Sequence, residues 1–201
     1  MNHLAHLALA DGDDGLRLGA LLGDYVKGQD ALARLPSTWS RGVRLHRKID
    51  AWSDHHPAVR TFLASLQPPW RRYGGVITDV LFDCMLSRHW RRFGPAPLAS
   101  FAESTDDLFF RYQQELPQRL VRFAVWARQN RLWERYQDRA MLEQIFAGLA
   151  RRHARKSPLA SGLDLLDHHE AEIERLFLTM FPDLQVRVHD WRQAQSSMSS
   201  M

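Results

Sequence analysis

Two pairs of ionisable residues lie four positions apart in this 201-residue chain, His46 with Asp50 in LHRKID and Asp79 with Asp83 in TDVLFDCMLSRHW. A step of four residues turns an α-helix by about 40° and climbs about 6 Å, so the members of each pair share a face and can share a ligand. A third acidic segment, LLGDYVKG with Asp24, precedes them. Two or three helices could therefore aim carboxylates and an imidazole into one cavity, as a hard-metal site requires. The set is rich in oxygen and has no thiolate pattern, which favours Mg²⁺ or Mn²⁺ over a structural zinc. Asp83 stands in the apolar run VLFDCML, where an uncompensated carboxylate is costly to bury. A metal is one compensation; Arg47, Arg88 or the end of a neighbouring helix is another.

His3 and His6 add imidazoles on one face of the first predicted helix. His6, between Leu4 and Leu7, can face inward as a ligand or an acid/base group. His55-His56 in a polar turn and His168-His169 in LDHHEAEIE are alternatives. The second pair, among Glu170, Glu172 and Glu174, reads as a solvated helix face with ordinary charge pairing. HExxH, P-loop, GxSxG and dinucleotide patterns are absent, which lowers the case for those mechanisms.

These residues need helices to position them, and helices are what the pattern gives. Apolar residues recur at intervals of three and four, and alternating β-branched runs are nearly absent, so the fold class is all-α. Asn2 can cap a first helix through about Leu9. Leu16 to Lys27 reads as a second, with Gly28 as its stop. Ser37 or Thr38 opens a third, carrying His46, Arg47 and Asp50, which AWSDHHP breaks before Pro57. A short helix runs from Pro57 to Leu66, and a long one from the Pro68-Pro69 step to about Trp90, with Gly74-Gly75 as a kink or close-approach point. Later helices are expected over Pro97–Leu116, Pro117–Asn130, Leu132–Arg151 and Pro158–Phe181.

The length suits one domain, and 45% hydrophobic residues suffice for a substantial core. The reading is a single compact helical domain over 1–190 and a polar tail, 191–201, expected to be disordered. Cys84 is the only cysteine, so no internal disulfide can form, and its apolar neighbours make it a buried structural thiol. No stretch approaches membrane-spanning length and the N-terminus lacks an export pattern, so a cytoplasmic setting without a membrane partner is expected. Net charge is +4 and the sequence pI about 9.6, which allows an acidic partner. Basic clusters recur at Arg71-Arg72, Arg91-Arg92 and Arg151 to Lys156. Each also reads as a solvated helix face or helix C-terminus.

Four blocks in order, NHLAHLALA, LLGDYVKG, LHRKID and TDVLFD with LSRHW, resemble the bacterial acyl carrier protein phosphodiesterases, also called acyl carrier protein hydrolases. The likeness covers the first 90 residues by distinct blocks and continues more loosely through LWERYQD to about Phe181. It implies a helical fold akin to HD-domain phosphohydrolases, although His46 and Asp50 are separated here and the only adjacent His-Asp step is His189-Asp190. It implies dependence on a divalent cation, with Mn²⁺ favoured and Mg²⁺ possible. The reaction implied is hydrolysis of the phosphodiester between 4′-phosphopantetheine and a serine of holo acyl carrier protein.

On that resemblance Asp24, His46, Asp79 and Asp83 are expected to be metal ligands. Arg47 and Arg88 are expected as phosphate clamps, and His6, Asp50 or His89 as groups that move a proton to the serine leaving group. Asp50 divides between ligation and orienting His46 or Arg47. Arg71, Arg72, Arg91, Arg92, Arg151 and Arg152 are expected to dock an acidic carrier protein, with Trp70 or Trp90 as an apolar anchor. Two rivals have different signatures. A helical phosphohydrolase acting on a small nucleotide would need no protein surface. A nucleic-acid-binding protein would bind without metal and with strong salt sensitivity; the carboxylates in apolar helices and the absence of a recognised nucleic-acid motif count against it.

Overall fold

The computed structural model describes residues 1–152 and 158–199, and these are helical with no strand among them. The elements are α1 (His3–Leu9), α2 (Asp14–Leu22), α3 (Gly28–Ala33), α4 (Ser37–Asp54), α5 (Pro57–Ser65), α6 (Gly74–Arg88), α7 (Trp90–Phe93), α8 (Leu98–Tyr112), α9 (Gln118–Gln129), α10 (Leu132–Arg135), α11 (Arg139–Arg152) and α12 (Gly162–Ser199), the last preceded by a 3₁₀ turn at Pro158–Ser161.

Helix α6 is the centre of the molecule. Residues 80–87 are buried without interruption, because the helix is apolar on every side and can be stable only when surrounded. α1 and α12 pack against it, and one apolar core extends from Met1 to Val188. Cys84 is among the buried residues, as expected. Both Asp79 and Asp83 belong to this central helix, and only Asp79 reaches partway to solvent.

Helices α2 and α4 make the closest approach in the fold, and glycine is the reason. A Cβ on Gly19 would lie 2.2 Å from the carbonyl oxygen of Trp39 and 2.6 Å from the Cα of Gly42. A Cβ on Gly23 would lie 2.2 Å from the ring of His46. Gly15, Gly19 and Gly23 are spaced by four, and they meet Thr38, Gly42 and His46, also spaced by four. The two helices therefore run parallel in fixed register, and the imidazole of His46 is laid directly over the end of α2.

Several expected boundaries shift. The second helix stops at Leu22, and Gly28, with φ of 81°, starts α3 instead of closing α2. The turn 23–27 that results carries Asp24 and Lys27. The long helix expected from Pro68 begins only at Gly74 and stops at Arg88, so Gly74-Gly75 forms its first turn. Leu132–Arg151 is two helices, broken at 136–138. The polar tail, expected to be disordered, is helical through Ser199. There Trp191 packs on the core, and Arg192 donates to the carbonyls of Asp11 and Leu9 at 2.8 and 2.9 Å. Those carbonyls end α1 without helical partners, so they offer the tail an anchor. Residues 200–201 and the 153–156 portion of the third basic cluster lie outside the described residues.

Candidate metal centre

Among the described residues, His6, His46 and Asp50 form the one group whose ligand atoms all lie within 4.8 Å of one another. His6 comes from α1; His46 and Asp50 come from successive turns of α4. His6 Nε2 is 3.0 Å from Asp50 Oδ1, and His46 Nε2 is 3.1 Å from Asp50 Oδ2. The two imidazoles stack at 4.0 Å between centroids. Both histidines are buried, at 1% and 4% exposure, whereas the Asp50 side chain is 38% exposed.

The tautomer of His46 is set by its other nitrogen. Nδ1–H donates to the carbonyl of Ala20 at 2.7 Å, and in the neutral ring this leaves the Nε2 lone pair facing a carboxylate oxygen. Two lone pairs cannot face each other at 3.1 Å without a positive charge between or on them. A proton or a cation must serve, and a bound metal satisfies the arrangement with the ring neutral. The electrostatics of the other two members agree. Burial and the neighbouring His46 hold His6 down at about 4, so it presents a neutral ring. Burial pushes the Asp50 carboxyl up, but its contacts with the His46 and His6 rings outweigh it and hold Asp50 well below the usual carboxylate range. The centre thus holds a neutral His6 ring and an ionised Asp50, with His46 completing the group.

A cavity of about 380 Å³ opens beside it, lined by Asp24, Lys27, His46, Arg47 and Asp50, with the backbone of the 23–29 turn as its wall. Asp24 Oδ1 is 3.7 Å from His46 Nε2, and its other oxygen is 3.9 Å from His3 Nδ1. Arg47 donates to the carbonyl of Val26 at 3.0 Å, which fixes the turn against α4. Lys27 went unnoticed in the sequence. It is three residues from Asp24 in LLGDYVKG, and that spacing on an irregular turn gave no helical signal.

Of the other expected site residues, Asp83 has the most distinctive surroundings. It is fully buried and accepts hydrogen bonds from the backbone N–H groups of Leu4 (2.7 Å) and Ala5 (3.0 Å), with Tyr136 as a side-chain partner. These amides belong to the first turn of α1, whose N-terminal donors have no helical acceptor. Asn2, expected to cap α1, makes no side-chain cap bond, and its amide instead reaches toward Tyr136. A neighbouring helix end therefore supplies the compensation that the apolar setting of Asp83 demands. Burial raises the Asp83 carboxyl to about 7 against these hydrogen bonds. Asp79 is 2.7 Å from the amino nitrogen of Met1, which is also 3.7 Å from Asp50 Oδ1. Arg88 pairs with Glu170 and His89 with Glu174, at 2.6 Å for the latter. Both face α12, away from the triad's cavity.

Arg71, Arg72, Arg91 and Arg92 are exposed but line neither this cavity nor the larger one next to it. Trp90 is buried with its indole N–H donating to Ala96, so it offers no exposed anchor; Trp70 is half-buried against His168 and His169. His168 is exposed, as read from sequence, while His169 sits at a break in α12 and packs on Phe62. The larger cavity, about 560 Å³, includes Arg151 and Arg152 in its lining together with His3, Tyr25, Arg119 and Arg122. The two cavities meet at the Asp24–His3 contact.

Comparison with known proteins gives a consistent result. A family model described as acyl carrier protein phosphodiesterase matches residues 1–184. A protein of that name from Photorhabdus laumondii is 34% identical over 186 residues, covering 90% of this chain and 92% of its own. Those from Enterobacter sp. (strain 638) and Yersinia pestis are 31% and 30% identical, over 93% and 97% of this chain and 97% and 98% of theirs. No solved structure matches the chain.

Proposed function

The chain belongs to the acyl carrier protein phosphodiesterase family, and from that premise we propose that it hydrolyses the phosphodiester linking 4′-phosphopantetheine to a serine of holo acyl carrier protein. The observation that carries the reading is the convergence of His6, His46 and Asp50 beside a cavity that also holds Lys27 and Arg47.

A phosphodiester is anionic and repels hydroxide, so its hydrolysis needs charge neutralisation and a nucleophile near neutral pH. A divalent cation held by His6, His46 and Asp50 supplies both when bound. Two imidazoles disfavour Mg²⁺, which takes oxygen donors, and suit Mn²⁺ better than the oxygen-rich set with a single imidazole read from sequence. Asp83, with its oxygens engaged by α1, is assigned a positioning role: it holds the helix that carries His6. Asp79 is assigned to the boundary of the site.

Lys27 and Arg47 bind the non-bridging phosphoryl oxygens as point charge and as fork. Asp24, 54% exposed at the mouth, accepts the proton of the attacking water. The water oxygen bonds to phosphorus as the bond from phosphorus to the serine oxygen breaks, the serine oxygen takes a proton from solvent at the open mouth or the one Asp24 removed, and apo carrier protein and 4′-phosphopantetheine leave.

Intact-mass measurement of holo carrier protein incubated with the purified chain tests this. Metal-dependent loss of one phosphopantetheine, blocked by chelator and by His46→Ala, is expected. Turnover of a small nucleotide in place of the carrier would move the assignment to a nucleotide phosphohydrolase.

A further inference from the structure

The larger cavity plays no part in the chemistry above, yet it gathers four arginines from two helices. Arg119 and Arg122 project from α9, and Arg151 and Arg152 from the end of α11, around one groove of about 560 Å³. All four are exposed, and among the described residues none makes an ion pair or a side-chain hydrogen bond. Arg88, Arg111, Arg131, Arg135 and Arg139 are each neutralised by a carboxylate partner; of the arginines without one, these four are gathered around a single concavity. Four like charges around one concavity repel one another and attract a partner of opposite sign. The floor between them is apolar and aromatic, with Phe123 and Trp126 half-buried. Here the cations are at the rim, as suits a carboxylate-bearing protein surface with an apolar side chain at its centre.

The groove also leads to the chemistry. His3 lies on its wall, with its ring 4.5 Å from that of Phe123 and its Nδ1 3.9 Å from Asp24. A partner seated on the rim would therefore be next to the mouth of the metal centre.

We propose that this groove docks the protein that bears the phosphodiester, with carboxylates of that protein on Arg119, Arg122, Arg151 and Arg152 and an apolar side chain on Phe123 and Trp126. The proposal rests on the functional reading above and selects one face for it. Arg151 and Arg152 belong to this face, Arg119 and Arg122 join it, and Arg71, Arg72, Arg91 and Arg92 fall outside it.

The test uses the double variants Arg119→Glu/Arg122→Glu and Arg151→Glu/Arg152→Glu, with Arg71→Glu/Arg72→Glu for comparison. kcat/KM is measured on holo carrier protein and on bis(p-nitrophenyl) phosphate, at low and high salt. Each groove variant is expected to lower the ratio of carrier to small-diester kcat/KM by about tenfold or more at low salt, with the difference narrowing as salt rises. The same changes in a His46→Ala background, read as Kd for holo carrier, give a binding measure that needs no turnover. Equal losses on both substrates, or a ratio that falls only for Arg71→Glu/Arg72→Glu, would overturn the docking face. Failure of the wild-type chain to bind or cleave the carrier would instead overturn the functional reading, and with it the partner named here.

Discussion

At the scale of single residues, Asp83 on α6 and Asp50 on α4 have separate work. Asp50 lies against two imidazoles on the open side of the fold, while Asp83 accepts from two backbone amides in its interior. Asp50→Asn should lower Mn²⁺ affinity and kcat/KM by at least about 100-fold with little change in melting temperature; calorimetric titration and steady-state rates measure both. Asp83→Ala should do the reverse in emphasis. It leaves two buried amides without an acceptor and opens a void, at a cost of about 2–4 kcal/mol, readable as a shift in the urea midpoint. Asp83 also carries a pH signature. Its carboxyl is held at about 7 by burial, whereas in the unfolded chain an aspartate titrates near 4. Between these values the folded chain retains a proton that the unfolded chain has lost. This stabilisation is complete below about pH 4 and is lost as pH rises through about 7. Relative to Asp83→Asn, wild-type stability should therefore fall from pH 4 to 7. A flat difference would remove Asp83 as the source.

At the scale of helices, the register of α2 on α4 decides where His46 stands. Gly19→Leu would drive a side chain into the backbone of Trp39 and Gly42 and should destabilise the chain by about 3 kcal/mol or more, since these atoms cannot move without separating the helices. Gly23→Ala is the more telling change. Its new methyl would meet the His46 ring alone, so metal affinity should drop several-fold while the far-UV spectrum and most of the stability persist. His46 and Asp50 were identifiable from their spacing, and so was the helix that carries both. The glycine stripe was equally present in the sequence, but its meaning depends on a matching stripe on α4 that spacing alone does not pair with it.

For the whole molecule, the centre joins α1 to α4 across the fold, so a cation there should oppose unfolding. At about 100 times its Kd, Mn²⁺ should add about 2.7 kcal/mol to the stability of wild type and nothing to His46→Ala; thermal melts with and without metal measure the difference. No helix among the described residues is long and apolar enough to cross a membrane, although α12 has the length. Near its end Trp191 packs on the core and Arg192 ties it to the end of α1.

The sequence by itself determined the all-α class, most helix starts at proline or polar caps, the burial of Cys84 and the family. Each follows from local periodicity, cap chemistry or ordered blocks, which need no knowledge of distant contacts. Only the tertiary structure decided which carboxylates meet. Asp79–Asp83 and His46–Asp50 have the same spacing, so sequence ranks them equally. α6 is surrounded on all sides, and its Asp83 is spent on the amides of α1. α4 borders an open turn, and its pair faces His6 and a cavity. The separation of Arg151 and Arg152 from the other basic clusters has the same origin: charge runs are alike in a sequence, and only packing sets some of them around a groove and leaves others on open surface.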